Sequence, residues 1–197
     1  MTCRILLPVL AGVGALALLA GVIWFLSLPS AIHRLNPVPV ADGEYTSVLN
    51  ALKPPKRERP LIAIVGINDA TETTDYLVPY GVLKKADVAD VVTLSTGDGP
   101  VRLYPALTVR AQATVADPTV VAWLRSQREK GATIIGICAG AKVLASAGLL
   151  ENRRATTHWY YLKTLLRDHK NIRYVPDRRW VVDDGVATTT GITASIP

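Results

Sequence analysis

Cys138 lies where an apolar segment ends and a run of small residues begins. The segment "ATIIGIC" ends at Cys138, and Ala139, Gly140 and Ala141 follow it. An apolar run of this length predicts a buried strand, and the small residues predict a tight turn into a helix. The first amides and the positive end of such a helix favour a thiolate, and the amides of Ala139 and Gly140 can stabilise an oxyanion. Cys138 is therefore predicted to be a nucleophile. The alternative is an inert thiol, because free cysteine is among the most buried residue types.

The elements that must position Cys138 are predicted by an alternation of apolar runs and segments with helical spacing. Strand-like runs occur in "LIAIVG" (61–66), "VADVVTLS" (88–95) and "ATIIGIC" (132–138). This alternation is typical of a parallel sheet that is covered by helices on both faces. Open sheets of this kind bind ligands at the carboxyl ends of their strands, where Cys138 falls. The sequence predicts a three-layer α/β domain over residues 61–197.

A helix is predicted in "DPTVVAWLRSQREKG", just before the strand that leads to Cys138. Asp117 is a suitable N-cap, Pro118 fits the first turn, and Gly131 stops the helix. Val115 runs through Ala116 directly into this helix, without an intervening turn.

The amino-terminal segment predicts a membrane anchor. No charged residue occurs from Ile5 to Leu28, and a run of this length is sufficient to cross a hydrocarbon core of about 30 Å. A cleaved signal peptide is the alternative. We therefore expect a transmembrane helix over 5–28, a lipid bilayer as a partner, and a single-pass protein whose globular domain lies outside the cytoplasm. Residues 29–60 are expected to form a stalk that contains a short helix.

The overall charge does not by itself indicate a nucleic-acid partner. The chain of 197 residues has a formal charge of +6, but its basic residues are dispersed and no DNA- or RNA-reading motif accompanies them. No nucleic acid is therefore expected as a partner. His33, His158 and His169 show no metal-ligand spacing with a cysteine, and no glycine-rich phosphate loop occurs, so neither a metal nor a cofactor is expected.

Two motifs carry a resemblance to a known family. The Cys138 elbow is followed by "GLLENRRATTHW" and later by "DGVATTTGITASI". This pattern resembles the ThiJ/PfpI superfamily, which has the class I glutamine amidotransferase-like (flavodoxin-like) fold, and most closely its GlxA-like branch. The resemblance implies either a cysteine-dependent enzyme, such as an isonitrile hydratase, or the ligand-sensing part of an AraC-type transcription regulator. A small-molecule ligand and a homodimer are among the expectations.

The resemblance also implies roles for residues near the thiol. Asp75, which precedes Pro79 by four residues, is the expected acidic partner of Cys138, and Glu72 is the substitute. The alternative role of Asp75 is helix capping. His158 is expected near the thiol as a base or as a helix cap, and Thr190 is expected to line the ligand pocket.

Two departures from the resemblance bear on activity. Related hydratases carry a hydroxyl residue directly after the cysteine, where this chain has Ala139. The family also has a buried strand and a small-residue turn before the 117–131 helix, and the turn supplies an oxyanion amide. The sequence predicts that this strand and the carboxyl-terminal helices are missing. We therefore leave two functions open, a cysteine-dependent hydratase or hydrolase and a ligand- or redox-sensing domain.

Overall fold

The computed structural model describes residues 3–27, 42–51, 58–115 and 119–191. The chain separates into a unit of residues 1–33 and a unit of residues 34–197. In chain order the elements are α1 (Cys3–Ser27), α2 (Asp42–Ala51), β1 (Leu61–Gly66), β2 (Thr71–Glu72), α3 (Thr73–Ala86), β3 (Asp90–Ser95), β4 (Val101–Tyr104), β5 (Leu107–Val109), β6 (Ala113–Thr114), α4 (Val120–Glu129), β7 (Ile134–Ile137), α5 (Gly140–Ser146), β8 (Arg154–Ala155), α6 (Trp159–Asp168), β9 (Arg173–Tyr174), β10 (Trp180–Asp183) and β11 (Val186–Thr189).

The helices of the described structure contradict the predicted membrane location of the protein. Among the helices that the structure describes, none combines the length and the apolar character needed to cross a membrane. The prediction of a single-pass membrane protein is therefore wrong, and a transmembrane helix over 5–28 is not supported.

The strands before α4 form two small sheets. In the first, β1 and β6 flank β3, and all of them run parallel, with Leu61 opposite Asp90 and Gly66 opposite Ser95. In the second, β4 pairs with β2 in parallel and with β5 in an antiparallel hairpin. Helix α3 connects these strands and packs on β1 and β3. The parallel β-α-β order that the sequence predicted is thus present here.

The strands after α4 form a separate sheet around β11. This strand pairs in parallel with β7, with Thr189 opposite Ile137, and antiparallel with β10. A short parallel pair of β8 and β9 lies beside it. Within the described residues, β1 pairs only with β3 and β7 pairs only with β11. No described strand joins the two halves of the domain into one continuous sheet.

The main core lies under the cysteine-bearing half of the domain. It is built from buried apolar residues of α4, β7, α5 and α6 and the segments between them, among them Leu144, Leu150 and Leu165, which are at most 2% exposed. A smaller cluster of Tyr76, Val101 and Leu103 supports the other half. Each half of the domain therefore has its own hydrophobic core cluster.

Helix α4 begins slightly later than the sequence indicated. Its N-cap is Thr119, whose side-chain oxygen accepts a hydrogen bond from the amide of Ala122 at 3.2 Å. Asp117, the predicted cap, lies outside the described residues. Both residues are good caps, and they are only two positions apart, so the sequence pattern alone does not separate them.

Candidate functional site

Cys138 occupies a strained turn between β7 and α5. Its φ is +55°, in the left-handed region that residues with a side chain rarely adopt. Two hydrogen bonds hold this turn: the Cys138 amide donates to the carbonyl of Thr189 at 3.2 Å, and the hydroxyl of Thr157 donates to the carbonyl of Cys138 at 3.0 Å. Backbone strain of this kind concentrates at functional sites. The structure thus has the strand-to-helix elbow that the sequence predicted.

The environment of the Cys138 thiol raises its pKa from 9.0 to about 12. Burial is the largest cause, followed by the negative charge of Asp75. A hydrogen bond from the amide of Ala139 acts in the opposite direction, while the hydrogen bond to Asp75 and the charge of Glu72 raise the pKa further. The sequence analysis predicted a thiolate. That prediction is wrong for the resting site, because burial and two carboxylates outweigh one amide and the dipole of a helix of only seven residues.

Asp75 and Glu72 divide the two roles that the sequence left open. Glu72 caps α3: its Oε2 accepts hydrogen bonds from the amides of Thr74 at 2.7 Å and Asp75 at 2.9 Å. The carboxyl of Asp75 is therefore not needed as the cap, and it accepts a hydrogen bond from the thiol of Cys138. The amino terminus of α3 thus brings one structural and one thiol-facing carboxylate to the site.

His158 is the N-cap of α6. Its Nδ1 accepts a hydrogen bond from the amide of Tyr160 at 3.3 Å. Burial lowers the pKa of His158, and the charge of Asp75 opposes this shift, so that the imidazole is neutral near pH 7 and within electrostatic reach of the site. This geometry is that of the helix-capping alternative.

Thr190 donates its polar hydrogens to Arg179. Its amide donates to the carbonyl of Arg179 at 2.9 Å, and its hydroxyl donates to the same carbonyl at 3.4 Å. Ala139 forms the N-cap of α5 and its amide faces the thiol, whereas Gly140 begins the helix. Of the residues predicted to surround Cys138, the structure brings Asp75 and Ala139 into direct contact with it.

Residues that the sequence analysis did not assign to the site also shape it. Gly191 lies against Cys138, so closely that a β-carbon at position 191 would be 2.7 Å from Sγ. The pKa of Tyr161 is raised by burial and then by the charge of Cys138, and Lys142 Nζ lies 5.7 Å from the centre of the Tyr161 ring. The sequence signal for Gly191 was its place after β11, beside the strand that carries the cysteine.

Buried threonines form hydrogen bonds to the backbone of the elbow and to each other. Thr156, Thr157 and Thr188 are at most 2% exposed. The amide of Thr156 donates to Oγ1 of Thr188 at 2.8 Å, and Thr157 bonds to the backbone of Cys138. The "RATTHW" and "VATTT" motifs therefore have structural roles, since buried hydroxyls must be hydrogen-bonded. Among the residues that the structure describes, no group of three or more side chains is arranged to hold a metal ion.

These features define an α/β domain with a parallel sheet and a carboxylate-paired cysteine at a strand-to-helix elbow. The sequence profile of the DJ-1/PfpI family matches residues 108–197. A ThiJ/PfpI domain protein of Brachyspira murdochii has a similar structure, with a TM-score of 0.60 and 15% identity over 71% of this chain and 91% of that one. The chain carries a DJ-1/PfpI (ThiJ/PfpI) family domain, as the motifs indicated.

Two curated relatives are named for different functions. The HTH-type transcriptional regulator CdhR of Pseudomonas aeruginosa is 31% identical over 178 residues, which cover 88% of this chain and 47% of that protein. The isonitrile hydratase of Pseudomonas putida is 32% identical over 121 residues, which cover 61% of this chain and 46% of that enzyme. The chain thus spans about half the length of the curated relatives it matches.

Proposed function

We propose that this DJ-1/PfpI domain hydrates or hydrolyses a small uncharged electrophile through Cys138. The observation that carries this proposal is the hydrogen bond between the Cys138 thiol and the Asp75 carboxylate. A thiol whose pKa is about 12 is protonated near neutral pH and is a weak nucleophile by itself. An adjacent carboxylate can accept the proton at the moment of attack, so that a thiolate never has to form in advance.

The step balances for an isonitrile as substrate. Sγ of Cys138 bonds to the terminal carbon, while the thiol proton passes to Asp75 and from there to the same carbon, giving a thioimidate. Water then adds across the carbon–nitrogen double bond, with its hydroxyl on this carbon and one proton on the nitrogen. The carbon–sulfur bond breaks and the hydroxyl proton passes to Sγ, which leaves a formamide and the free thiol. The amide of Ala139, which already faces the sulfur, is placed to stabilise the developing negative charge.

The charge of the site supports an uncharged substrate. The carboxylates of Asp75 and Glu72 both act on the sulfur, and each would repel an anion that approached it. The similarity to the isonitrile hydratase supports the same class of electrophile. The residue after the cysteine is Ala139 rather than a hydroxyl residue, so any polar contact that a hydroxyl would make to the substrate must come from elsewhere.

The second candidate is a ligand-sensing domain, in which the protonated thiol of Cys138 donates a hydrogen bond to a bound small molecule. The raised pKa of this thiol favours this function, since a donor must keep its proton. The unpaired strand edges also favour it, because within the described residues β1 and β7 do not belong to one continuous sheet that would complete an oxyanion site. The similarity to CdhR supports a regulatory role of this kind.

A turnover and binding experiment separates the two candidates. The full chain, with Cys3→Ser to leave one thiol, is incubated with a small alkyl isonitrile, and formamide is followed by NMR. We expect turnover that Cys138→Ser and Asp75→Asn each reduce by about a hundredfold or more, whereas Asp69→Asn, an exposed aspartate paired with Arg102, leaves it unchanged.

The outcomes decide between the functions as follows. Formamide production that persists in Cys138→Ser would refute the enzymatic proposal. An absence of turnover together with saturable binding of the unreacted isonitrile would support the sensing domain instead. If neither turnover nor binding is observed, both functions are refuted for this class of compound.

A further inference from the structure

An open cavity of about 250 Å³ lies between α3, β3 and the end of β5 with the segment that follows it. The rings of Tyr76 and Tyr80 and the side chains of Leu77 and Val109 form its apolar walls. Typical ligand pockets have volumes of about 300–1,000 Å³, so this cavity suits a small molecule.

Three residues with hydrogen-bond donors line this cavity. Arg110 and Tyr80 are two of them, and neither has a hydrogen-bond or ion-pair partner among the residues that the structure describes. Gln112 also lines it. Its Oε1 accepts a hydrogen bond from the amide of Thr93 at 2.9 Å, which orients the side chain and leaves Nε2 as a donor. Arg110 and Gln112 are exposed and Tyr80 is half-buried, so an acceptor group of a ligand would replace water at these donors.

The charge of the lining indicates an anion. Arg110 is the charged residue of the lining, and no aspartate or glutamate belongs to it. A guanidinium forms two parallel hydrogen bonds with a carboxylate, which fixes both the position and the plane of the bound group. The half-buried ring of Tyr80 favours a flat aromatic body, because aromatic rings pack in offset or edge-to-face arrangements, whereas Tyr76 is only 1% exposed.

We propose that this cavity binds a small aromatic carboxylate, with its carboxylate on Arg110 and its ring against Tyr80. The assignment is independent of the function proposed for Cys138. The two places also differ in charge: Asp75 and Glu72 repel anions from the thiol, whereas Arg110 attracts them. The same compound is therefore not expected to occupy both places.

Benzoate is a suitable probe, and its binding to the full chain is measured by isothermal titration calorimetry or ligand-observed NMR. We expect saturable binding that Arg110→Gln weakens by about tenfold and Tyr80→Phe by about threefold. Arg110→Lys should fall between the parent and Arg110→Gln, since lysine keeps the charge but loses the paired hydrogen bonds. Benzamide, which has the same shape without the charge, should bind several-fold more weakly than benzoate.

Two controls make the result specific to this cavity. Arg102→Gln removes an exposed arginine of β4 that pairs with Asp69 and does not line the cavity, so benzoate binding should be unchanged. Cys138→Ser should also leave benzoate binding unchanged, which separates this proposal from the function of the thiol. Thermal unfolding of each variant shows whether it is folded before it is titrated.

Three results would overturn the proposal. The first is no saturable binding of benzoate up to about 10 mM, a concentration that would detect even a weak site. The second is equal affinity of the parent and Arg110→Gln, because the carboxylate would then not be bound by Arg110. The third is equal affinity of benzoate and benzamide, which would show that the charge is not recognised.

Discussion

Gly191 lies directly against Cys138, although 53 positions separate them in the sequence. A β-carbon at position 191 would come 2.0 Å from Cβ and 2.6 Å from Cα of Cys138. Gly191 also has a φ of +76°, a conformation that glycine adopts without steric cost. The turn after β11 therefore approaches the thiol only because residue 191 has no side chain.

Gly191→Ala should consequently destabilise the domain and disturb the thiol. The added methyl group cannot be accommodated without moving the backbone of Cys138, which we expect to cost about 1–3 kcal/mol beyond the conformational term. Gly99→Ala is a matched control, because Gly99 has a φ of +92° and nothing within 4 Å of the added carbon. Urea unfolding of both variants isolates the steric part. Equal losses of unfolding free energy in the two variants would contradict the close contact.

Asp75→Asn should lower the pKa of Cys138. In the parent the charge of Asp75 and its acceptance of the thiol hydrogen bond both raise this pKa, so removing the charge favours the thiolate. The pH dependence of iodoacetamide alkylation measures the effect in a Cys3→Ser background, and the variant should react faster than the parent at about pH 8. Asp69→Asn serves as the control because Asp69 pairs with Arg102 on the surface. An unchanged alkylation profile in Asp75→Asn would show that Asp75 does not affect the pKa of the thiol.

The local parts of the site could be predicted from the sequence. The apolar run before Cys138 and the small residues after it were sufficient to predict the strand, the turn and the helix, because each depends on neighbouring residues. The position of Asp75 came from a family motif rather than from periodicity. The contact of Gly191 with the thiol was not predicted, since it joins the ends of two strands that only the tertiary fold brings together.

The protonation state of the thiol required the structure. The amide of Ala139 is encoded next to Cys138 and suggested a thiolate, but the larger effects come from burial and from the distant carboxylates of Asp75 and Glu72. Such sums of opposing effects depend on distances that a sequence does not contain. The prediction for the amino-terminal segment differed from the structure for another reason. Its apolar composition indicated a membrane span over 5–28, but no described helix has both the length and the apolar character of a membrane span.

Glu72→Ala should destabilise α3 at its amino terminus. The variant loses the acceptor for the amides of Thr74 and Asp75, and a lost N-cap costs about 1 kcal/mol. Glu129→Ala is the control, because Glu129 is an exposed residue at the end of α4. Urea unfolding should show a loss for Glu72→Ala and almost none for Glu129→Ala. Equal stability of the two variants would show that the Glu72 cap does not contribute.

The ionisation of Cys138 should make the stability of the domain depend on pH in the alkaline range. The unfolded thiol loses its proton near its ordinary pKa of 9.0, whereas the folded thiol keeps its proton up to about pH 12. Between these values the unfolded state binds fewer protons than the folded state, so the contribution of the thiol to stability is complete below about pH 9 and decreases as the pH rises.

Cys138→Ala removes this titration and nothing else that ionises, so the comparison of parent and variant isolates it. The difference in unfolding free energy between them should be constant from about pH 6 to about pH 8 and should then shift against the parent by up to about 1.4 kcal/mol per pH unit. Urea unfolding at several pH values up to about pH 10 measures this difference. Because the lysines and the tyrosines other than Tyr161, whose pKa depends on Cys138, titrate in both proteins, their effects cancel in the comparison. A difference that stays constant through this range would mean that the folded thiol ionises as readily as the unfolded one, and that neither burial nor Asp75 raises its pKa.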